Sequence, residues 1–175
     1  VVTHTELVES PGAYEFGNRT FHCHKRSGHG HIDLQTALAA SADVYFYKLG
    51  ETMGIDRLAD YGRLFGFGTQ TELRLNGEQA GRVPTKSFHE SQTKGGFQHG
   101  LALSTAVGQG AVRTSPLQLA LAYAATANGG RLLTPRLVSK LQHSDGSVTR
   151  EMSSKIVRTL APSYPQTFES LLDGL

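Results

Sequence analysis

The sequence has 175 residues, a formal net charge of +2 and an apolar content of 38%, with no tryptophan and one cysteine, Cys23. This length suits one domain or a piece of a larger one, and with so small a charge and no nucleic-acid-reading motif we expect no nucleic-acid partner. One cysteine excludes an internal disulfide framework and does not fix the compartment. The most apolar run, residues 117–127, is too short to cross a bilayer. The first residue is Val1 rather than methionine, which indicates a fragment.

The first third of the chain changes from an extended to a helical pattern. Residues 1–31 are predicted to be extended and loop-like. Residues 32–65 are predicted to be helical, because apolar residues recur at steps of three and four. Ser41-Ala42-Asp43 interrupts this pattern, and a serine or aspartate before an apolar run is typical of a helix N-cap. Gly54 is expected to end the helix that follows, and a shorter helix is predicted over residues 55–65.

The rest of the chain is rich in turn signals, apart from one long helix. Residues 66–103 contain seven glycines and are predicted to form short strands and loops, including an edge strand over residues 71–75. The pair Thr114-Ser115 supplies a cap for a helix with Pro116 in its first turn, which ends at Asn128. Four later elements are also predicted: a strand within 131–141, a hairpin turn at 145–146, a strand near 156–157 and a helix over 167–172.

Two blocks of sequence carry the strongest functional signal. The first is SADVYFYKLG at residues 41–50, followed by MGIDRL at 53–58. The second, residues 107–130, contains Gly-Gln-Gly, Thr-Ser-Pro-Leu-Gln and Ala-Asn-Gly-Gly in that order. Together they resemble the penicillin-binding transpeptidases, whose Ser-x-Asn motif is sometimes Ser-x-Asp. A Gly-His-Gly string at residues 28–30 and the MGIDRL run favour the cell-elongation type of class B.

The resemblance implies an α/β (α+β) fold of the penicillin-binding transpeptidase and serine β-lactamase type. Mostly the helical lobe is expected in residues 1–175, with an incomplete sheet. The chain would be the central segment of the transpeptidase domain. The family's nucleophilic Ser-x-x-Lys motif and its Lys-Thr-Gly motif are expected outside the chain, so the segment is expected to be inactive alone.

The chemistry that the resemblance implies is acyl transfer through a serine acyl-enzyme. The substrate is a peptidoglycan stem peptide ending in D-Ala-D-Ala, which β-lactams mimic. In this scheme the hydroxyl of Ser41 relays a proton between the motif lysine and the leaving nitrogen, since a hydroxyl donates and accepts at once. The carboxylate of Asp43 accepts hydrogen bonds from the lysine or the substrate. In isolation, an ordinary N-cap remains the alternative reading of the Ser41-Ala42-Asp43 motif.

The second block is expected to support the site rather than to react. Gln109, Gly110 and Thr114 are assigned to substrate binding or to the scaffold, and the glycines on either side of Gln109 favour a tight turn that serves backbone geometry.

The run from Phe21 to His31 contains four histidines and the only cysteine. Cys23 and His29 form a candidate metal pair, because zinc favours cysteine and histidine ligands, and Glu9 or Asp43 is a possible oxygen ligand. In a continuous strand, Cys23 would face away from its neighbouring histidines. The alternative is a solvated polar loop with one packed cysteine. No cofactor is required for the reaction, so any zinc here would be structural.

The resemblance also implies partners and a location. Besides stem peptides and β-lactams, we expect proteins of the elongation machinery, such as the glycosyltransferase that uses the lipid-linked precursor. We expect the periplasmic side of the inner membrane, with attachment only through an N-terminal anchor missing from these residues. Two other readings stay open: a non-catalytic module that binds peptidoglycan or a partner protein, and a serine β-lactamase or sensor relative.

Overall fold

The computed structural model describes residue 3 and residues 5–73, 75–92, 94–161 and 166–175. Seven α-helices lie in these ranges: α1 (Leu34–Ala39), α2 (Asp43–Met53), α3 (Ile55–Leu64), α4 (Lys86–Gln92), α5 (Gly100–Ala106), α6 (Pro116–Ala127) and α7 (Thr167–Asp173). Among the residues described, no helix has the length and apolar character needed to span a membrane.

The strands of the described residues are short and pair as four separate antiparallel ribbons. These ribbons are β1 (Val8–Ser10) with β4 (Gly30–Ile32), β2 (Ala13–Phe16) with β3 (Arg19–His22), β5 (Arg131–Leu133) with β8 (Ile156–Thr159), and β6 (Lys140–Gln142) with β7 (Val148–Glu151). The mixture of helices with small, incomplete sheets confirms the predicted α+β class.

The helices before and after residues 66–103 lie where the sequence predicts them. The secondary structure within residues 66–103 differs from the prediction. Within residues 66–103 the sequence predicts strands and loops, which is wrong for α4 and α5. The start of α4 carries a signal that was missed, because the Thr85 hydroxyl accepts a hydrogen bond from the Phe88 N–H at 3.1 Å, as an N-cap does. The edge strand predicted over 71–75 is also wrong for the described residues there; Arg74 lies outside them.

Helix α5 forms because α2 packs along it at very short range. A Cβ atom placed on Gly50 of α2 would lie 2.7 Å from the Ala106 Cβ and 2.9 Å from the Ala102 carbonyl oxygen of α5. Small residues on both sides therefore let the two helix backbones approach. This contact supplies stability that a helix of seven residues lacks on its own, since helices in proteins are stabilised mainly by tertiary packing.

A buried apolar cluster extends this contact to the N-terminal strands. Val44 and Tyr47 of α2 pack with Leu103 of α5 and with Cys23, which follows β3. Val107, the residue after α5, packs against the same cluster. The start of α2, the end of α5 and the loop after β3 are thus fixed relative to one another.

We expect Gly50→Ala to lower the free energy of unfolding by about 1–3 kcal/mol, the usual cost of overpacking. The alanine side chain would meet the Ala102 carbonyl oxygen, which cannot move without shifting α5. Denaturant unfolding measures this change. Gly62→Ala in α3 is the matched control, because its new Cβ would lie 3.3 Å from the Val83 methyl groups and so should cost less. A Gly50→Ala protein as stable as the original would contradict the packing account.

Candidate functional site

Ser41 lies in the turn between α1 and α2, in a left-handed backbone conformation with φ of 49°. The Ser41 N–H donates to the Leu38 carbonyl at 3.0 Å, and the Ala42 N–H donates to the Ala37 carbonyl at 2.9 Å. These two bonds define a Schellman motif, which ends α1 and places Ser41 at the position that glycine normally occupies.

The same chain uses glycine at this position three other times. The two-bond pattern recurs with Gly66 after α3, Gly108 after α5 and Gly129 after α6, at φ values of 89°, 72° and 78°. A left-handed conformation costs a residue with a Cβ about 1–2 kcal/mol. Besides Glu72, Ser41 is the one non-glycine residue with positive φ in the described ranges. Local strain of this kind is a recurrent feature of functional sites.

The N-cap alternative for Ser41 is wrong. The N-cap residue of α2 is Ala42, and no side chain caps this helix. Ser41 is exposed, and its hydroxyl makes no hydrogen bond to any other residue that the structure describes. The hydroxyl therefore remains available both to donate and to accept a proton.

Asp43 is the first residue of α2, where the helix dipole favours a carboxylate. Its side chain is 30% exposed, and Oδ2 accepts a hydrogen bond from the backbone N–H of His24 at 3.3 Å. The His24 Nδ1 atom lies 3.9 Å from the same oxygen. Asp43 thus joins the start of α2 to the loop that follows β3.

That loop holds Cys23, His24 and His29 together, and His24 is a member that the sequence did not single out. Strand β3 ends at His22, so the strict alternation of faces that would separate Cys23 from His24 does not apply. The ligand atoms of the three residues all lie within 4.8 Å of one another. This grouping corrects the prediction that the side chains of Cys23 and His24 point in opposite directions. Glu9 lies on β1 opposite His31 and is not in the group.

The distances in this group fit a tetrahedral metal. The Cys23 Sγ atom is 3.5 Å from His29 Nε2 and 3.7 Å from His24 Nδ1. Tetrahedral zinc, with bonds of about 2.3 Å to sulfur and about 2.0 Å to nitrogen, separates such ligands by about 3.5 Å. Burial, with smaller effects of Lys25 and His24, lowers the pKa of His29, which keeps its imidazole neutral and able to coordinate at neutral pH.

The Gly-Gln-Gly string forms the tight connection that the sequence predicts. Gly108 ends α5, and the Gln109 N–H donates to the Ser104 carbonyl at 2.9 Å. Gly110 has φ of 73°, and its carbonyl accepts a bond from the Arg113 guanidinium at 3.1 Å. Among the described residues, no hydrogen bond joins this connection to the Ser41–Asp43 segment.

Gln118 organises the start of α6, a role that its place in the sequence did not indicate. Its side-chain amide donates to the carbonyls of Thr69 at 2.7 Å and Ala80 at 2.8 Å. Its oxygen accepts from the Ser115 N–H at 2.9 Å and from the Thr114 hydroxyl at 3.3 Å. All four hydrogen-bonding positions of the amide are thus used, which fits its near-complete burial. Ser115 caps the helix, and the Thr114 hydroxyl supplies one of these four hydrogen bonds.

One Ser-x-x-Lys string does occur, at Ser91 to Lys94. It follows the Ser41–Asp43 motif in the chain, whereas the resemblance implies a nucleophile motif that precedes Ser41. Ser91 lies in α4, and its hydroxyl donates to the Phe88 carbonyl at 3.0 Å. Thr93 lies outside the described residues. The position and this local bond favour a helix-end role for Ser91.

Comparison with known proteins matches residues 1–167 to the family described as the penicillin-binding protein transpeptidase domain. Among curated proteins, the chain is 35% identical over 144 residues to the peptidoglycan D,D-transpeptidase MrdA of Haemophilus influenzae, covering 81% of this chain and 22% of that protein. The Acinetobacter baumannii MrdA is 34% identical over 140 residues, covering 79% of this chain and 21% of that protein. The chain thus spans about a fifth of the length of these relatives.

Solved structures show the same similarity in three dimensions. The Pseudomonas aeruginosa PBP2 bound to WCK 5153 superposes with a TM-score of 0.85 at 30% identity, covering 99% of this chain and 37% of that one. The Helicobacter pylori PBP2 in complex with MreC superposes with a TM-score of 0.83 at 29% identity, covering 99% and 31%.

We expect Ser41→Gly to raise the free energy of unfolding by about 1 kcal/mol, because glycine adopts the left-handed conformation without strain. Ser41→Ala keeps the Cβ and should leave stability nearly unchanged. The reverse control is Gly108→Ala, whose new Cβ would have no atom within 4 Å. We expect this variant to lose about 1 kcal/mol of unfolding free energy, and that loss would come from backbone strain alone. Denaturant unfolding of the three variants measures the differences. A destabilised Ser41→Gly protein would contradict this reading of the turn.

Proposed function

The chain belongs to the penicillin-binding protein transpeptidase family, and from this membership we propose that it is the central part of a peptidoglycan D,D-transpeptidase of the elongation type. The full-length protein that contains these residues, here called the parent protein, cross-links stem peptides through a serine acyl-enzyme. β-Lactams acylate the same serine. The nucleophile and the Lys-Thr-Gly strand come from sequence outside residues 1–175.

The observation that carries this proposal is the strained, exposed serine at the start of the site. The chain ends three other helices with glycine in the same motif, so a serine at position 41 adds cost to the fold without adding a packing contact. A hydroxyl held on a defined turn is suited to proton relay. In the parent protein, Ser41 passes a proton from the motif lysine to the leaving amine.

Asp43 has a supporting role in this proposal. One oxygen of its carboxylate already accepts a hydrogen bond from the His24 N–H. The other oxygen can pair with the motif lysine, since an ionised carboxylate accepts hydrogen bonds and attracts an ammonium group. Gln109, Gly110 and Thr114 hold the α5–α6 connection as scaffold.

The family's acyl-transfer chemistry needs no cofactor. For this chain we propose a structural zinc held by Cys23 and His29, with His24 as third ligand and with Asp43, whose Oδ2 atom lies 3.9 Å from His24 Nδ1, as a further oxygen donor. The donor types and the 3.5–3.7 Å separations support this assignment. The metal would fix the loop after β3 against the first turn of α2.

Similar proteins support a proposal for the partners and location of the parent protein. The Helicobacter pylori PBP2 structure contains MreC, and another similar structure concerns polymerization and crosslinking by a peptidoglycan synthase complex. The proposed partners are the corresponding elongation proteins, including the glycosyltransferase that uses the lipid-linked precursor. The proposed location is the periplasmic face of the inner membrane.

We expect Ser41→Ala in the parent protein to lower the rate of acylation by benzylpenicillin by about 10²–10⁴-fold, the usual contribution of a positioned acid–base group. Stopped-flow or gel-based labelling with a fluorescent penicillin measures this rate. Ser41→Gly is the matched control, because it also lacks the hydroxyl while its stability rises. Equal loss in both variants assigns the effect to the hydroxyl; acylation within threefold of the original in either variant refutes the relay.

We expect the parent protein, purified without chelator, to contain about one zinc per chain, and His29→Ala to lose most of it. Metal analysis by mass spectrometry measures the content. His22→Ala is the matched control, since His22 lies on β3 outside the ligand group and should keep its zinc. Zinc-free original protein, or equal loss in both variants, would rule out this site.

A further inference from the structure

Asparagine followed by glycine occurs twice in the chain, at Asn76-Gly77 and at Asn128-Gly129. This dipeptide is chemically reactive, because the backbone nitrogen of the second residue can attack the side-chain amide of the first. Glycine in the second position leaves that nitrogen unshielded and gives the backbone the freedom that ring closure requires. The two dipeptides lie in different surroundings, and these surroundings determine which of them can react.

Asn76 and Gly77 form the exposed middle of a β-turn. The Glu78 N–H closes the turn by donating to the Leu75 carbonyl at 3.2 Å, and Gly77 has φ of 79°. Among the residues that the structure describes, neither the Asn76 side chain nor the Gly77 N–H takes part in a hydrogen bond. A Cβ atom placed on Gly77 would have no atom within 4 Å. Both reacting groups are therefore unrestrained and open to water.

The second dipeptide is held in place at the end of α6, where Asn128 is the C-cap residue. Asn128 Oδ1 accepts a hydrogen bond from the Arg131 N–H at 2.8 Å, and Nδ2 donates to the Arg131 carbonyl at 2.9 Å. The Gly129 N–H donates to the Thr126 carbonyl at 3.5 Å. Both side-chain hydrogen bonds of Asn128 must break before its amide can be attacked, whereas Asn76 has none to break.

We propose that Asn76 is a site of spontaneous deamidation, with water as the only co-reactant. The Gly77 nitrogen forms a bond to Cγ of Asn76 and gives up its proton. The Cγ–Nδ2 bond breaks, and the amide nitrogen leaves with that proton as ammonia. Water then opens the resulting five-membered succinimide and returns a proton to the Gly77 nitrogen. Attack of water at Cγ gives aspartate, and attack at the main-chain carbonyl carbon gives isoaspartate.

The modification would change the loop that follows α3. Glu78 Oε1 accepts hydrogen bonds from the Thr71 N–H at 2.7 Å and from the Thr71 hydroxyl at 2.5 Å, and the Glu78 carbonyl accepts one from the Gln70 side chain at 2.8 Å. Isoaspartate at position 76 adds one carbon atom to the main chain two residues before Glu78, which displaces Glu78 from these partners. Either product also adds a carboxylate to the turn. The reaction depends on this turn and not on the proposed transpeptidase activity.

Timed incubation of the intact parent protein, followed by peptide mass spectrometry, tests the proposal. The peptide that contains Asn76 should gain the mass that replaces an amide by a carboxyl group, and it should separate into aspartate and isoaspartate forms. This reaction should be at least about tenfold faster than that of Asn128, whose two hydrogen bonds must break first. Asn18 lies in the exposed turn between β2 and β3 but precedes Arg19. It is the control for exposure without glycine and should also react at least about tenfold more slowly than Asn76.

The same incubation in urea separates the effect of the fold from that of the sequence. In urea, Asn76 and Asn128 should react within about threefold of each other, because only the shared dipeptide then determines the rate. Equal rates at Asn76 and Asn128 in the native protein, or an Asn76 that does not react there, would overturn the proposal. An Asn128 that stays at least tenfold slower in urea would overturn it too, because the turn would then not be the cause of the difference.

Discussion

The close contact between α2 and α5 is the constraint on which the rest of the structure depends. At Gly50 the two helices leave no room for a methyl group, so their spacing and rotation are fixed by backbone and alanine atoms. The cluster of Val44, Tyr47, Leu103 and Cys23 then carries this fixed geometry to the loop after β3. The proposed relay residue Ser41, the proposed metal site and the Gly-Gln-Gly connection all adjoin or lie within α2, α5 and the loop after β3.

At Ser41 the chain departs from the pattern by which it ends its other helices. Helices α3, α5 and α6 end in a Schellman motif with a left-handed glycine. Helix α1 ends in the same motif, with Ser41 in the place of the glycine. The two hydrogen bonds that end α1 are the same as in the glycine-containing motifs. Serine in place of glycine therefore changes only the conformational energy of the backbone and adds an exposed hydroxyl. The proposed relay hydroxyl accounts for a serine on this turn, whereas an N-cap role does not, because no side chain caps α2.

The sequence predicts well where local signals and tertiary structure agree. Helix α6 begins and ends where Ser115, Pro116 and Asn128 indicate, and the family was identified from two short blocks. The prediction fails for α5, because this seven-residue helix follows a glycine-rich stretch and is stabilised by a partner helix about fifty residues earlier in the chain. It also misses His24, because a histidine pattern does not reveal that β3 ends at His22. The left-handed turn at Ser41 is hidden for the same reason: Ser-x-Asp looks like an N-cap until the hydrogen bonds of α1 are known.

The central claim is that these residues shape a transpeptidase site whose nucleophile lies elsewhere in the parent protein. Peptide mapping of the benzylpenicillin adduct on the intact parent protein tests it most directly. The account predicts one adduct per chain, on a serine outside residues 1–175. An adduct on Ser91, or on any other serine within these residues, would contradict it, and so would a parent protein that gains no adduct.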